Sequence, residues 1–183
     1  MQRCYLAGPD VFHPDVMLLA AGKRDLCTRY GIKGCFPLDN DAGLAGLTGR
    51  AAALAIYQAN IRLIESCDLL IANLTPFRGV SADPGTVFEL GYMTALGRPV
   101  AAYSLDPRPY LERVRQAGFA DAAATTDRDG QMIEDFGLTD NLMLGGALAT
   151  TTDRFILHAG DPRRIADHLA AFERCLTLIA APC

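Results

Sequence analysis

In the stretch PGTVFELGYMTALG, residues 84–97, a single carboxylate, Glu89, stands among small, uncharged or apolar neighbours. A solitary acid in that setting suits a nucleophile aimed at an electron-poor carbon; an ordinary helical glutamate facing water fits the same spacing. Asp83, Pro84 and Gly85 read as a loop, and the spacing predicts a helix over residues 86–96, stopped by Gly97 and Pro99. Glu89 then lies in or just after the first turn, where a helix N-terminus favours an ionised carboxylate. Cleavage of a glycosidic bond draws on such a group: one carboxylate attacks the anomeric carbon while a second acid or donor helps the departing group. A phenol can orient the attacking oxygen. Tyr5 can serve in that way, or simply pack as a strand tyrosine.

These residues need a scaffold, and the chain alternates strand-like and helix-like segments almost throughout. RCYLAG, GCFPLD, CDLLIANL, PVAAYSL and RFILHAG (154–160) read as five strands. Helices are expected over residues 14–30, 50–66, 86–96 and 162–179, with Leu54, Ile61 and Ile64 of the second turned toward the core. Residues 121–135 are expected to form a loop or lid. The near-continuous apolar character of CDLLIANL fits a strand buried on both faces. The pattern predicts an α/β, doubly wound, three-layer domain with a mainly five-stranded parallel sheet, spanning residues 1–183 as one unit. Ligands in such sheets bind at the carboxyl ends of the strands. That rim gathers Gly8 and Asp10 after strand one, Asp41 after strand two, and the run from Phe77 to Glu89 after strand three.

The 183 residues are half apolar with a formal net charge of -4, a balance without a polyanion-binding surface. Polymeric nucleic acid is therefore disfavoured, while a single nucleoside is not. Six cysteines form no CxxC pair and read as reduced core thiols of a cytoplasmic protein, and the three histidines lack metal-ligand spacing. No apolar run suits a membrane span or a signal peptide. No stretch satisfies the dinucleotide or Walker pattern. The rim's acids and amides favour a neutral, hydrogen-bonding ligand; Arg78 with Ser81 is the main place where a phosphate could be held.

With these residues in view, the sequence resembles the nucleoside 2-deoxyribosyltransferases. YLAGPDVF, FPLDND, ANIRLIESCDLLIANL, FRGVSADPGTVFELGYMTALGRPV and IEDFGLTDNLML match the family in order, from Cys4 to about Leu144. The resemblance implies a flavodoxin-like homo-oligomer that exchanges the base of a 2'-deoxynucleoside for a free nucleobase, with retention of configuration and no cofactor or metal. It places Glu89 at the nucleophile, Tyr5 at the phenol orienting it, and Asp83 at an aspartate that binds substrate near the sugar. Asn141 and Met143 match residues that reach a neighbouring subunit's site, and Asp41 falls where some members contact the base through a glutamine. Two departures stand out. Asn60 occupies a position where known bacterial members have an aspartate near the base, and an amide cannot deliver a proton. The 121–135 excursion is longer than in compact members. Base preference therefore stays open.

Three other readings compete. A related hydrolase of deoxynucleoside 5'-monophosphates shares fold and glutamate but tends to carry serine where this chain has Asp83, and a carboxylate beside a phosphate dianion is repelled by about 4 kcal/mol at contact distance. DPGTVFE partly matches the glycine-rich loop of cytokinin-activating phosphoribohydrolases, without its double glycine. A nucleoside-binding module without catalysis is the non-enzyme alternative.

Overall fold

The computed structural model describes residues 1–39, 43, 45–149 and 155–180. Strands β1 (Arg3–Ala7), β2 (Lys33–Cys35), β3 (Leu69–Asn73), β4 (Val100–Ser104) and β5 (Phe155–Leu157) alternate with helices α1 (Val16–Arg29), α2 (Gly49–Glu65), α3 (Pro84–Ala95), α4 (Tyr110–Gln116), α5 (Leu142–Ala149) and α6 (Ile165–Ala180). The sheet is parallel throughout, in the order β2-β1-β3-β4-β5. The chain moves outward from β1 to β2, then returns past β1 to β3, so the winding reverses between β1 and β3. Crevices form at that switch.

Strand alternation decides which side chains serve the site. Cys4 and Leu6 of β1 pack with Ala20 and Cys27 of α1 and Phe172, Cys175 and Leu176 of α6. Tyr5 and Ala7 face the opposite way, into a core with Ile64 of α2, Leu90 and Met93 of α3 and Leu144 of α5. Every residue of β3 and β4 is buried, as the two-sided cover requires. The five described cysteines are free and buried. Among the described residues no helix is long and apolar enough to cross a membrane.

The elements differ from the sequence expectation in identifiable places. Helix α3 begins at Pro84, two residues early, because Asp83 is its N-cap and proline suits the first helical position. Leu54 is half exposed rather than core-facing. The buried residues of α2 are Ala59 and Ile64, both in its C-terminal half, so its N-terminal half carries an apolar surface of Leu54, Ile56 and Tyr57 outward. Helix α5 was not among the expected helices: LMLGGALA has no polar face to mark a period. Residues 121–135, by contrast, form a loop as expected, in which a single antiparallel bridge, Thr126 to Met132, closes a turn.

Candidate active site

Tyr5 sits at the middle of β1, paired with Leu70 on one side and Cys35 on the other, and its side chain is fully buried. A buried phenol needs a partner for its hydroxyl. Tyr5 Oη donates to Glu89 Oε1 at 2.6 Å across the gap between β1 and α3. Glu89 is the sixth residue of α3, beyond the first turn where the N-terminal dipole acts. Burial there outweighs the helix dipole: it pushes the Glu89 carboxyl up to about 7, the Tyr5 hydrogen bond opposes the rise, and the charge of Asp83 adds to it. Tyr5 itself is held protonated far above the ordinary phenol range, first by burial and then by the adjacent Glu89 charge. The pair thus consists of a permanent donor and a carboxyl poised to ionise near neutrality.

Glu89 opens into a cleft of about 350 Å³ between α2 and α3, walled by Tyr57, Asn60, Ile61, Ile64, Gly85 and Phe88. Gly85, one turn before Glu89, leaves its space open; a Cβ there would touch only Asp83 Oδ2, at 3.1 Å. The rings of Tyr57 and Phe88 lie 6.2 Å apart at the mouth, each half exposed. Asp83 caps the helix with one oxygen, Oδ2 accepting from the Thr86 amide at 2.9 Å and the Thr86 hydroxyl at 3.0 Å. Both contacts use the same atom, so Oδ1 remains as an acceptor. A cleft with a buried carboxyl, a fixed phenol donor, an amide and two aromatic edges can take a neutral planar ligand joined to a small polar ring.

The other expected residues are placed differently. Asp10 is buried and turned inward: Oδ2 pairs with Lys23 Nζ at 2.9 Å and Oδ1 accepts from Asn73 Nδ2 at 3.1 Å. Lys23 is itself 1 % exposed, its ammonium over the rings of Tyr103 and Phe172. A buried ion pair of this kind anchors the turn Pro9–Phe12 to the interior. Gly8 serves close approach, since a Cβ there would fall 2.3 Å from Asp10 Oδ2 and 2.8 Å from Asn73 Cβ. Phe77 stacks on Phe12 with centroids 5.4 Å apart, and the Arg78 guanidinium lies 4.7 and 5.1 Å from the two rings. Arg78 has φ 55, in the left-handed region that side chains seldom adopt. These residues border a separate hollow of about 280 Å³ that does not include Glu89. Asp41 lies outside the described residues.

Asn141 lines a hollow other than the one that holds Glu89, and neither Asn141 nor Met143 walls the Glu89 cleft. The Asn141 amide donates to Glu134 Oε1 at 2.7 Å and its carbonyl accepts from the Met143 amide at 3.0 Å, which opens α5. Met143 is 72 % exposed. Three contributors went unnoticed in the sequence: Glu134, Asp140 and Lys23. Lys23 and Asp10 are thirteen residues apart, a separation that carries no periodic signal. Asp140, beside Asn141 in an otherwise uncharged TDNLML, was the readable one. Among the described residues no group of three or more His, Cys, Asp or Glu side chains is placed to hold a metal ion.

The family model described as Nucleoside 2-deoxyribosyltransferase matches residues 4–143. A 2-deoxyribosyltransferase from Leishmania mexicana, of known structure, is 34 % identical, covers 93 % of this chain and 98 % of its own, and superimposes with a TM-score of 0.64. An uncharacterized protein of Schizosaccharomyces pombe is 34 % identical over 157 residues, 78 % of this chain and 74 % of its own. The structure of a conserved protein from Enterococcus faecalis shares the fold at 19 % identity, with a TM-score of 0.56 and coverage of 95 % and 98 %.

Proposed function

From the premise that the chain belongs to the nucleoside 2-deoxyribosyltransferase family, we propose that it exchanges the base of a 2'-deoxynucleoside by two displacements at Glu89. The observation that carries this reading is the 2.6 Å contact between the buried Tyr5 hydroxyl and Glu89 Oε1. With Oε1 held by the phenol, Oε2 is the oxygen left to approach the anomeric carbon. In the first step a Glu89 oxygen bonds to C1' as the C1'–N bond breaks, and the electron pair of that bond leaves with the base, which takes up a proton. In the second step an incoming base attacks C1' through a ring nitrogen, which gives up its proton to the group that protonated the first base, while the ester-like bond to Glu89 breaks and the carboxylate is restored. Two inversions give net retention.

The reaction so written draws on no cofactor. Lacking an electron-withdrawing 2'-hydroxyl, a deoxyribosyl centre reaches oxocarbenium character more easily than a ribosyl one, so deoxynucleosides are the favoured substrates. Asp83 Oδ1 is suited to the sugar hydroxyls. Asn60 and the Tyr57 and Phe88 edges are suited to the base, and because Asn60 cannot supply the proton for the leaving base, Asp41, Asp83 or water does so. Asn141 and Met143, exposed on their own chain, complete a neighbouring subunit's site in a homo-oligomer.

Deoxyinosine incubated with adenine should yield deoxyadenosine. Free hypoxanthine without deoxyadenosine would assign a hydrolase instead, and no reaction would assign a binder. Intact-mass measurement with deoxynucleoside alone should show a deoxyribosyl adduct that Glu89→Ala abolishes; an adduct persisting in that variant overturns the assignment of the nucleophile.

A further inference from the structure

Asp140 is 5 % exposed, carries a charge, and has no part in the chemistry above. Its Oδ2 accepts from the Ala82 amide at 2.9 Å and its Oδ1 from the Asn141 amide at 2.9 Å. The Arg113 guanidinium, also buried, lies 3.5 Å from Oδ2 and donates to the Thr139 carbonyl alongside. One carboxylate therefore ties together two segments that are 58 residues apart in sequence.

One segment leads to the Glu89 cleft and the other to the exposed Asn141. Ala82 immediately precedes Asp83, the cap of the helix that carries Glu89. Asn141 opens α5 and is held from its other side by Glu134. A carboxylate is the chemistry this junction demands, because two amide N–H groups and a cation converge on two oxygens. An asparagine offers one acceptor oxygen and would turn an NH₂ toward the second amide.

We propose that Asp140 is a positioning residue of the transfer reaction, fixing the Ala82–Asp83 entry to α3, and through it Glu89, together with the Asn141 end of α5. The kinetic side of this proposal rests on the reading of Glu89 as nucleophile; the positioning itself does not. A carboxylate that merely stabilised the fold would affect melting and leave the state of Glu89 unchanged.

Asp140→Asn separates the two. The Glu89 carboxyl, followed by ¹³C NMR, should titrate in the variant at least about half a unit below its position in the unaltered protein, because burial and the nearby Asp83 charge both depend on where residues 82–89 sit. Turnover should fall about tenfold or more, and in a double-mutant cycle with Asp83→Ala the two losses should be less than multiplicative. A folded Asp140→Asn protein with unchanged Glu89 titration and an independent, multiplicative loss overturns the proposal. If the variant fails to fold, hydrogen exchange on the unaltered protein decides. The Ala82 and Asn141 amides should be protected together, and exchange of both at the rate of open loop amides overturns it. Absence of base exchange in the unaltered protein would remove the transferase reading, while the titration would still decide the role of Asp140.

Discussion

The Tyr5–Glu89 pair makes the pH dependence a property of two residues. On the proposed mechanism Glu89 attacks as the carboxylate, so kcat/KM should fall as the pH drops through about 7, the value to which burial raises the group. Tyr5→Phe removes the hydrogen bond that opposes this rise, so the acidic limb should move to higher pH and turnover should drop about 10- to 100-fold; an unmoved limb would separate the phenol from the nucleophile. Stability follows the same proton with its own sign. A carboxyl raised in the folded state stabilises it fully below its unfolded value and loses that contribution as the pH climbs through about 7. Glu89→Gln, which cannot ionise, should therefore gain stability relative to the unaltered protein between about pH 5 and 8, approaching 3 kcal/mol in denaturant titrations. Spacing singled out Tyr5 and Glu89 but left each with an ordinary structural alternative, and the family resemblance is what joined them; the structure shows the two in contact. The inward turn of Asp10 was not legible in the sequence, because Lys23 meets it through tertiary packing and not through any local spacing.

At the level of elements, the site depends on where helices begin. Asp83→Ala removes the cap that takes both Thr86 donors, and should destabilise the protein by about 1 kcal/mol in thermal or chemical unfolding while also lowering activity. Gly8→Ala should destabilise by about 1–3 kcal/mol, because the added methyl meets Asn73 Cβ and Asp10 at distances that demand movement of the strand end; a variant as stable as its parent would contradict the close approach. Strands β1, β3 and β4 were readable because burial on both faces leaves near-continuous apolar runs. Helix α5 was hidden, since an apolar segment with paired glycines shows neither period nor stop. The N-terminal half of α2 was assigned a core-facing Leu54 because its spacing is helical, but periodicity does not say how far a helix projects beyond its sheet.

Across the whole molecule, Leu54, Ile56, Tyr57 and Phe88 form an apolar surface beside the cleft, and Met143 stands out at the start of α5. That distribution suits association of copies, so sedimentation at micromolar concentration should give a species heavier than the 19.7 kDa chain. If Asn141 serves a neighbour's site, mixing and reassociating inactive Glu89→Ala with inactive Asn141→Ala subunits should restore about a quarter of the activity in a reciprocal dimer, since half the pairs are mixed and each holds one intact site. No recovery after subunit exchange would confine Asn141 to its own chain.

The phenol at the centre of β1 is flanked by hydrogen-bonded strands on both sides. Its place in the lattice of the sheet means that no fraying of an end or opening of a surface turn can displace it. Heat should thus erase enzymatic competence and native circular dichroism along one superimposable curve, with no warm, still-folded but idle species in between.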